Sequence, residues 1–201
     1  MANTKISDLT ADSSITGIEE MVVADSGNTR KIGLDDLAVY VKGTAPVMFH
    51  CSPKTAALPV SNPAAYVQVA GSNVLYDVLD FDKTTGESAY WQFALPTGIV
   101  IASATIEIYS TQASVTSGDV GWLVKTLVRG AAEAIDTAPV SDTVTATTVE
   151  GTAGLVHRQT KALTITSWAG AHLLLVTITR DVANDNANED ARFLGAVLRI
   201  N

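Results

Sequence analysis

Residues 66–201 predict a mostly β fold, an antiparallel β-sandwich of jelly-roll-like type, on three observations. This part of the chain is dense in Thr, Val and Ile, turn signals recur at the spacing typical of sandwiches, and several segments alternate apolar and polar side chains. Alternation places one face of a strand in a core and the other in water. Two antiparallel sheets packed face to face satisfy this pattern. Several Greek-key connectivities share this two-sheet architecture, and we favour the jelly-roll among them.

Eight candidate strands follow from this alternation. They are 74–81, 88–95, 99–111, 119–129, 143–150, 162–168, 172–181 and 191–200. Trp91 and Trp122 fall on the apolar side of their strands, which predicts that both lie in the core. In the last strand, regular alternation places Leu194 on the core face with Leu198, and Phe193 on the opposite face.

The strands 172–181 and 191–200 carry apolar side chains on both faces. This predicts two central strands whose outer faces are covered, either by a loop of the same domain or by a neighbouring copy. We therefore expect a homo-oligomer, with a trimer favoured.

Residues 1–43 predict a small separate unit, made of a hairpin and a helix. Strands at 20–24 and 29–32 flank an Asp- and Gly-containing turn, and apolar residues then recur at helical spacing from Leu34 to Val41. Such a unit buries little surface, and it has no cysteine to staple it. We expect it to become ordered by packing on a partner chain.

The range 44–65 holds four of the six prolines of the chain. Proline lacks a backbone N–H, which disfavours both a helix and a central strand. This range is therefore predicted to be an extended connector between the unit 1–43 and the sandwich 66–201.

Charge and composition exclude several classes of function. The 201 residues include 13 Lys and Arg against 21 Asp and Glu, a net charge of −8 with a pI of about 4.7. Such a polyanion has no electrostatic basis for binding nucleic acid or an anionic membrane.

The N-terminus shows no basic segment followed by an apolar run, so no signal peptide is expected. The single cysteine, Cys51, cannot form an intrachain disulfide.

No catalytic motif stands out in the sequence. His50, His157 and His172 have no companions at the spacing of a metal site or a triad, and no nucleophile elbow, zinc-protease motif or phosphate loop is present. We therefore expect a structural or binding protein that requires no cofactor, and not an enzyme.

One acid- and amide-rich segment, 181–190, is the best candidate for a metal site. Asp181, Asp185 and Asp190 could offer hard oxygen ligands to Ca²⁺, although the segment lacks the spacing of an EF-hand loop. The favoured interpretation is a solvated hairpin loop, in which Asp and Asn serve the turn. No bound metal is therefore expected.

Aromatic residues allow a second kind of site. Trp91, Trp122 and Trp168, with Tyr90 and Tyr109, could in principle form a platform on which a sugar ring stacks. Because Trp91 and Trp122 are expected in the core, Trp168 at a strand end is the candidate for an exposed ligand contact.

The N-terminal segment resembles the start of tail fibres and head fibres of tailed bacteriophages, in the stretches 5–10, 19–23 and 32–41. The stretches 76–82, 87–93, 180–181 and 190–195 are similar to a domain of phage structural proteins. This resemblance implies a fibre or capsid-decoration protein of the virion, made in the host cytoplasm and attached to capsid or tail proteins through residues 1–43.

The side chains expected to make that virion contact are the apolar ones of the first unit. They are Ile6, Leu9, Met21, Val23, Leu34, Leu37, Ala38 and Val41. The alternative function is a host-surface adhesin that binds carbohydrate. A depolymerase is the least favoured hypothesis, because no pair of carboxylates can be assigned to one cleft from the sequence.

Overall fold

The computed structural model describes residues 20–25, 28–33, 46–114, 117–166 and 168–201. The chain divides into two compact units, Met1–Ala45 and Pro46–Asn201. In the first unit, strands β1 (Glu20–Asp25) and β2 (Asn28–Gly33) pair antiparallel, with Asp25 opposite Asn28. This pair is the predicted hairpin. The predicted helix over 34–41 lies outside the described residues.

The second unit, called the β domain below, contains ten strands in its described residues. They are β3 (Val47–Cys51), β4 (Ala65–Ala70), β5 (Leu75–Phe81), β6 (Ser88–Ala94), β7 (Ala104–Gln112), β8 (Asp119–Arg129), β9 (Val140–Thr148), β10 (His157–Leu163), β11 (Leu173–Arg180) and β12 (Ala191–Ile200). The predicted strands 143–150 and 162–168 correspond to β9 and β10, which both begin several residues earlier in the structure.

These strands form two antiparallel sheets. The larger sheet has six strands in the order β10-β7-β12-β5-β4, with β3 also paired to β12, and the smaller sheet has the order β6-β11-β8-β9. The predicted antiparallel β-sandwich is thereby confirmed. In the described part of the chain, no helix is long and apolar enough to cross a membrane.

Aromatic side chains from both sheets form the centre of the core. The rings of Phe81 and Trp122 meet edge to face with centroids 5.1 Å apart, and the rings of Trp91 and Phe193 lie 5.6 Å apart. Trp91 and Trp122 are buried, as the alternation of their strands predicted. Large rings in these geometries bury much apolar area and add specific packing energy to it.

The last strand departs from the prediction at a β-bulge between Phe193 and Gly195. A bulge inserts one extra residue and so exchanges the faces of the side chains on its two sides. Phe193 is therefore fully buried in the core, whereas Leu194 lies half-buried on the outer face. The expectation from regular alternation, with Leu194 inside and Phe193 outside, is wrong for this reason.

The range predicted as a connector contains β3, which pairs with residues 196–200 of β12. Farther along the same range, Ala57 exchanges backbone hydrogen bonds with Tyr90 of β6. The strand lies at a sheet edge next to Pro46, a position where a missing N–H removes no ladder hydrogen bond. From Pro46 onward, the chain is therefore part of the β domain and not a spacer.

Candidate functional site

A groove with a volume of about 420 Å³ crosses the outer face of the larger sheet. We call it the outer groove. It is lined by His50, Cys51, Ser52, Tyr109, Val156, Leu194, Gly195, Ala196 and Val197. These residues come from β3 and the residue after it, from β7 and β12, and from the loop before β10, so parts of the chain far apart in sequence meet there.

The groove extends into an adjoining cavity of about 180 Å³. This cavity shares Val156 and Leu194 with the main groove and adds Tyr76, Thr111 and Gly154. Tyr109 lies on β7 and Tyr76 on β5, with β12 between these two strands. The concave surface therefore runs across three strands and has a tyrosine in each of its two parts.

The floor of the groove is the part of β12 where its pairing changes from β5 to β3. β12 pairs with β5 from Ala191 to Phe193 and with β3 from Ala196 to Ile200, and the bulge lies between the two contacts. Gly195 in the bulge has a φ of +149°, a conformation that favours glycine, and it contributes no side chain to the groove. The bulge thus both opens the floor and turns Leu194 toward it.

The loop after β9 is fixed at the other wall of the groove. The N–H of Gly154 donates a hydrogen bond of 3.1 Å to the carbonyl oxygen of Gln112 at the end of β7. Gly154 has a φ of +81°, which a residue with a side chain rarely adopts. This contact holds Val156 beside Tyr109 and Leu194 in the lining.

Polar contacts position the groove tyrosine. The Tyr109 hydroxyl donates a hydrogen bond of 2.9 Å to Oε2 of Glu107, and Nε of Arg199 lies 3.6 Å from Oε1 of the same carboxylate. Tyr109 is therefore held by a partner that is itself paired, so its ring is preorganised for a ligand. Cys51 in the lining offers no nucleophile at neutral pH, because burial raises the pKa of its thiol to about 12.

A second ion pair lies on the same face of the larger sheet. Nε of Arg192 is 3.5 Å from Oδ2 of Asp80. Partial burial raises the pKa of Asp80, and the positive charge of Arg192 opposes this shift. Both pairs are partly exposed, so their contribution to stability is small.

The predicted metal candidates are engaged with protein donors. Asp185 makes two contacts with the guanidinium of Arg180, at 2.8 Å to Nε and 3.0 Å to Nη2. Asp181 accepts a hydrogen bond from Asn184, and Asp190 accepts one from the backbone N–H of Lys83. The described residues contain no group of three His, Cys, Asp or Glu that could hold a metal ion. For Asp185, the role is therefore corrected to that of a buried ion-pair partner.

The aromatic candidates do not share one surface. Trp168 is half-buried against the core and lines a separate cavity of about 170 Å³ with Val128 and Thr166. Tyr90 belongs to the smaller sheet, and Tyr109 lies in the outer groove of the larger one. Of the five aromatic residues considered, Tyr109 is therefore the one in the groove, and a platform shared by all five is not formed.

The side chains of the predicted anchor residues lie outside the described part of the chain. Met21 and Val23 belong to β1, but their side chains lie outside the described part of the chain. The other six, from Ile6 to Val41, lie outside the described residues altogether. Their contact with a partner chain stays a prediction.

Sequence reasoning missed the groove contributions of His50, Leu194 and Val156. His50 belongs to an edge strand inside the supposed connector, and Leu194 was assigned to the core. One signal could have indicated the site. Gly195 interrupts a mostly apolar strand, and an isolated glycine within a strand suggests a bulge or a close approach.

We expect His157 to give the β domain a pH-dependent stability. Its ring Nε2 lies 2.9 Å from the Thr147 hydroxyl, and burial lowers its pKa while the charge of Glu150 raises it to a lesser extent. Because the folded pKa lies below the unfolded one, the unfolded state binds more protons as the pH falls below about 6.5. We expect the free energy of unfolding to decrease from pH 7 toward pH 5. Replacing His157→Gln should remove this part of the dependence in urea titrations, and an unchanged pH profile would contradict the assignment.

Comparison with known proteins finds similarity of fold. No protein-family model matches the chain, and no curated protein matches its sequence. A family 35 carbohydrate-binding module from Clostridium thermocellum aligns with a TM-score of 0.46 at 11% identity, over 77% of this chain and 98% of that one. The corresponding module of Cellvibrio japonicus Abf62 aligns with a TM-score of 0.45 at 10% identity, over 76% and 92%. The xylan-binding CBM22-2 domain of Paenibacillus barcinonensis Xyn10C gives 0.46 at 8%, over 76% and 99%. At these identities the likeness concerns the fold alone.

Proposed function

We propose that the β domain is a non-enzymatic carbohydrate-binding module whose ligand lies in the outer groove. The observation that carries this proposal is a preorganised tyrosine, Tyr109, in an open groove of about 420 Å³. A ligand site of this size combines apolar lining with a few placed polar groups. Several similar structures are described as carbohydrate-binding modules, but the proposal rests on the groove.

The chemistry of the groove suits a sugar ring. One face of a sugar ring presents C–H groups, which pack on an aromatic ring, while its hydroxyls require hydrogen-bond partners. Tyr109 offers the ring, Leu194 and Val197 offer apolar surface, and His50 and Ser52 offer polar groups. Because Glu107 already holds the Tyr109 hydroxyl, little side-chain freedom is lost on binding.

Replacing Tyr109→Ala should abolish most of the binding. A glycan array and titration calorimetry with the full chain will identify and quantify the ligand, and we expect a loss of affinity of about tenfold or more, or ~1.4 kcal/mol. Tyr90→Ala is the matched control, since it removes a tyrosine from the smaller sheet. Equal affinities of the two variants would refute the role of the groove.

We propose, second, that the chain is a fibre or decoration protein of a phage virion, in which residues 1–43 attach to a capsid or tail protein. The resemblance in the N-terminal segment supports this, as does the division of the chain into two compact units. An adhesin attached in this way would carry the outer groove on the particle. The trimeric state stays a prediction.

Deleting residues 1–43 tests this attachment. We expect the truncated chain to keep the unfolding transition of the β domain. It should be absent from purified particles, because it lacks the apolar side chains expected to contact the capsid or tail protein. Incorporation of the truncated chain at the full-length level would show that the attachment lies elsewhere.

A further inference from the structure

The outer face of the larger sheet carries one arginine outside its two ion pairs. The chain has 21 acids against 13 bases, yet this face carries three arginines, Arg158, Arg192 and Arg199, beside the acids Asp80 and Glu107. Asp80 is paired with Arg192 at 3.5 Å, and Glu107 with Arg199 at 3.6 Å. The two pairs leave Arg158 unengaged by either acid, while Asp190, directly before β12, adds a further acid near Asp80.

Arg158 lies at the rim of the outer groove. In the pairing of β10 with β7 it is directly opposite Tyr109, so the two side chains project from the same face of the sheet. Arg158 is exposed, and no acid of the described residues forms an ion pair with it. The nearest acid in the register, Glu107, lies on the diagonal and is already engaged by Tyr109 and Arg199.

A guanidinium beside an aromatic ring suits one particular class of saccharide. The guanidinium presents parallel N–H groups that match a carboxylate or a phosphate in a two-point contact. A sugar ring stacked on Tyr109 would place an anionic substituent within the reach of a long, flexible arginine side chain on the neighbouring strand. The net negative charge of the remaining protein would repel the same ligand from other surfaces.

We propose that the ligand of the outer groove is an anionic saccharide, with its carboxylate or phosphate bound by Arg158 and a sugar ring stacked on Tyr109. This inference rests on the proposed carbohydrate-binding function and names the class of its ligand. Because Arg158 is exposed, the attraction is screened by salt.

The test is a glycan array that carries neutral, carboxylated and phosphorylated saccharides, probed with the full chain. We expect the bound saccharides to be acidic, and the carboxylated and phosphorylated sets to show which oxyanion is preferred. For the best ligand, Arg158→Gln should weaken binding about tenfold, and raising the salt concentration should weaken the unmodified protein more than this variant. Lys125→Gln is the control, because it removes the same charge from a residue of the smaller sheet.

The outcomes separate this inference from the proposed function. Binding of neutral saccharides with equal strength, unchanged in Arg158→Gln, would overturn the inference and leave the carbohydrate-binding function standing. Equal losses in Arg158→Gln and Lys125→Gln would also overturn it, since the effect would then come from net charge. Failure to bind any saccharide would overturn the proposed function itself.

Discussion

Replacing Asp185→Ala is expected to lower the free energy of unfolding of the β domain by about 3–5 kcal/mol. The side chains of Arg180 and Asp185 are 0% and 1% exposed, so the variant leaves a buried guanidinium without its counter-charge. Asp185 also accepts hydrogen bonds from the N–H groups of Gly121 and Ala187. Equilibrium urea unfolding, followed by tryptophan fluorescence, measures the effect.

Asp181→Ala is the control for this experiment. Asp181 belongs to the same acidic segment, but its side chain accepts a single hydrogen bond, from the exposed Asn184. Its replacement should cost less than about 1 kcal/mol. If the two variants lose the same stability, Asp185 is an ordinary loop acid and the buried pair does not support the fold.

Replacing Phe193→Ala is expected to cost about 3–5 kcal/mol, whereas Leu194→Ala should cost about 1 kcal/mol or less. The Phe193 ring is fully buried and contacts the rings of Phe81, Trp91 and Trp122. Leu194 lies half-buried in the outer groove, where truncation leaves no closed cavity. The same urea titration compares the two variants.

This pair of neighbours discriminates between two registers of the last strand. Regular alternation from Leu198 back to Leu194 would put Leu194 in the core, and the order of the two losses would then be reversed. A larger loss for Leu194→Ala would therefore show that the bulge at Gly195 is absent.

The parts of the fold that the sequence predicted are those set by local periodicity. From Ala104 to Ser110 in β7 and from Trp122 to Arg129 in β8 the alternation is regular, so the buried side chains of Ile106, Ile108, Trp122 and Val124 could be assigned from the pattern alone. Alternation fails where an extra residue enters a strand, because every side chain beyond it changes face. A proline-rich range likewise hides an edge strand such as β3, since an edge position tolerates proline.

The site was less predictable because it depends on pairings between distant parts of the chain. His50, Tyr109 and Val197 meet in the outer groove only because β12 pairs with both β3 and β7. Asp185 was considered as a metal ligand for a related reason. Its partner, Arg180, ends a strand, and the fold buries it beside Asp185, a contact that no local sequence pattern indicates.

The most direct measurement of the central claim is the position of a bound saccharide in a crystal structure of the full chain with its best array ligand. We expect a sugar ring against Tyr109 in the outer groove, in contact with Leu194 or Val197. A ligand seated on the smaller sheet, or at the cavity beside Trp168, would contradict the assignment of the outer groove as the binding site.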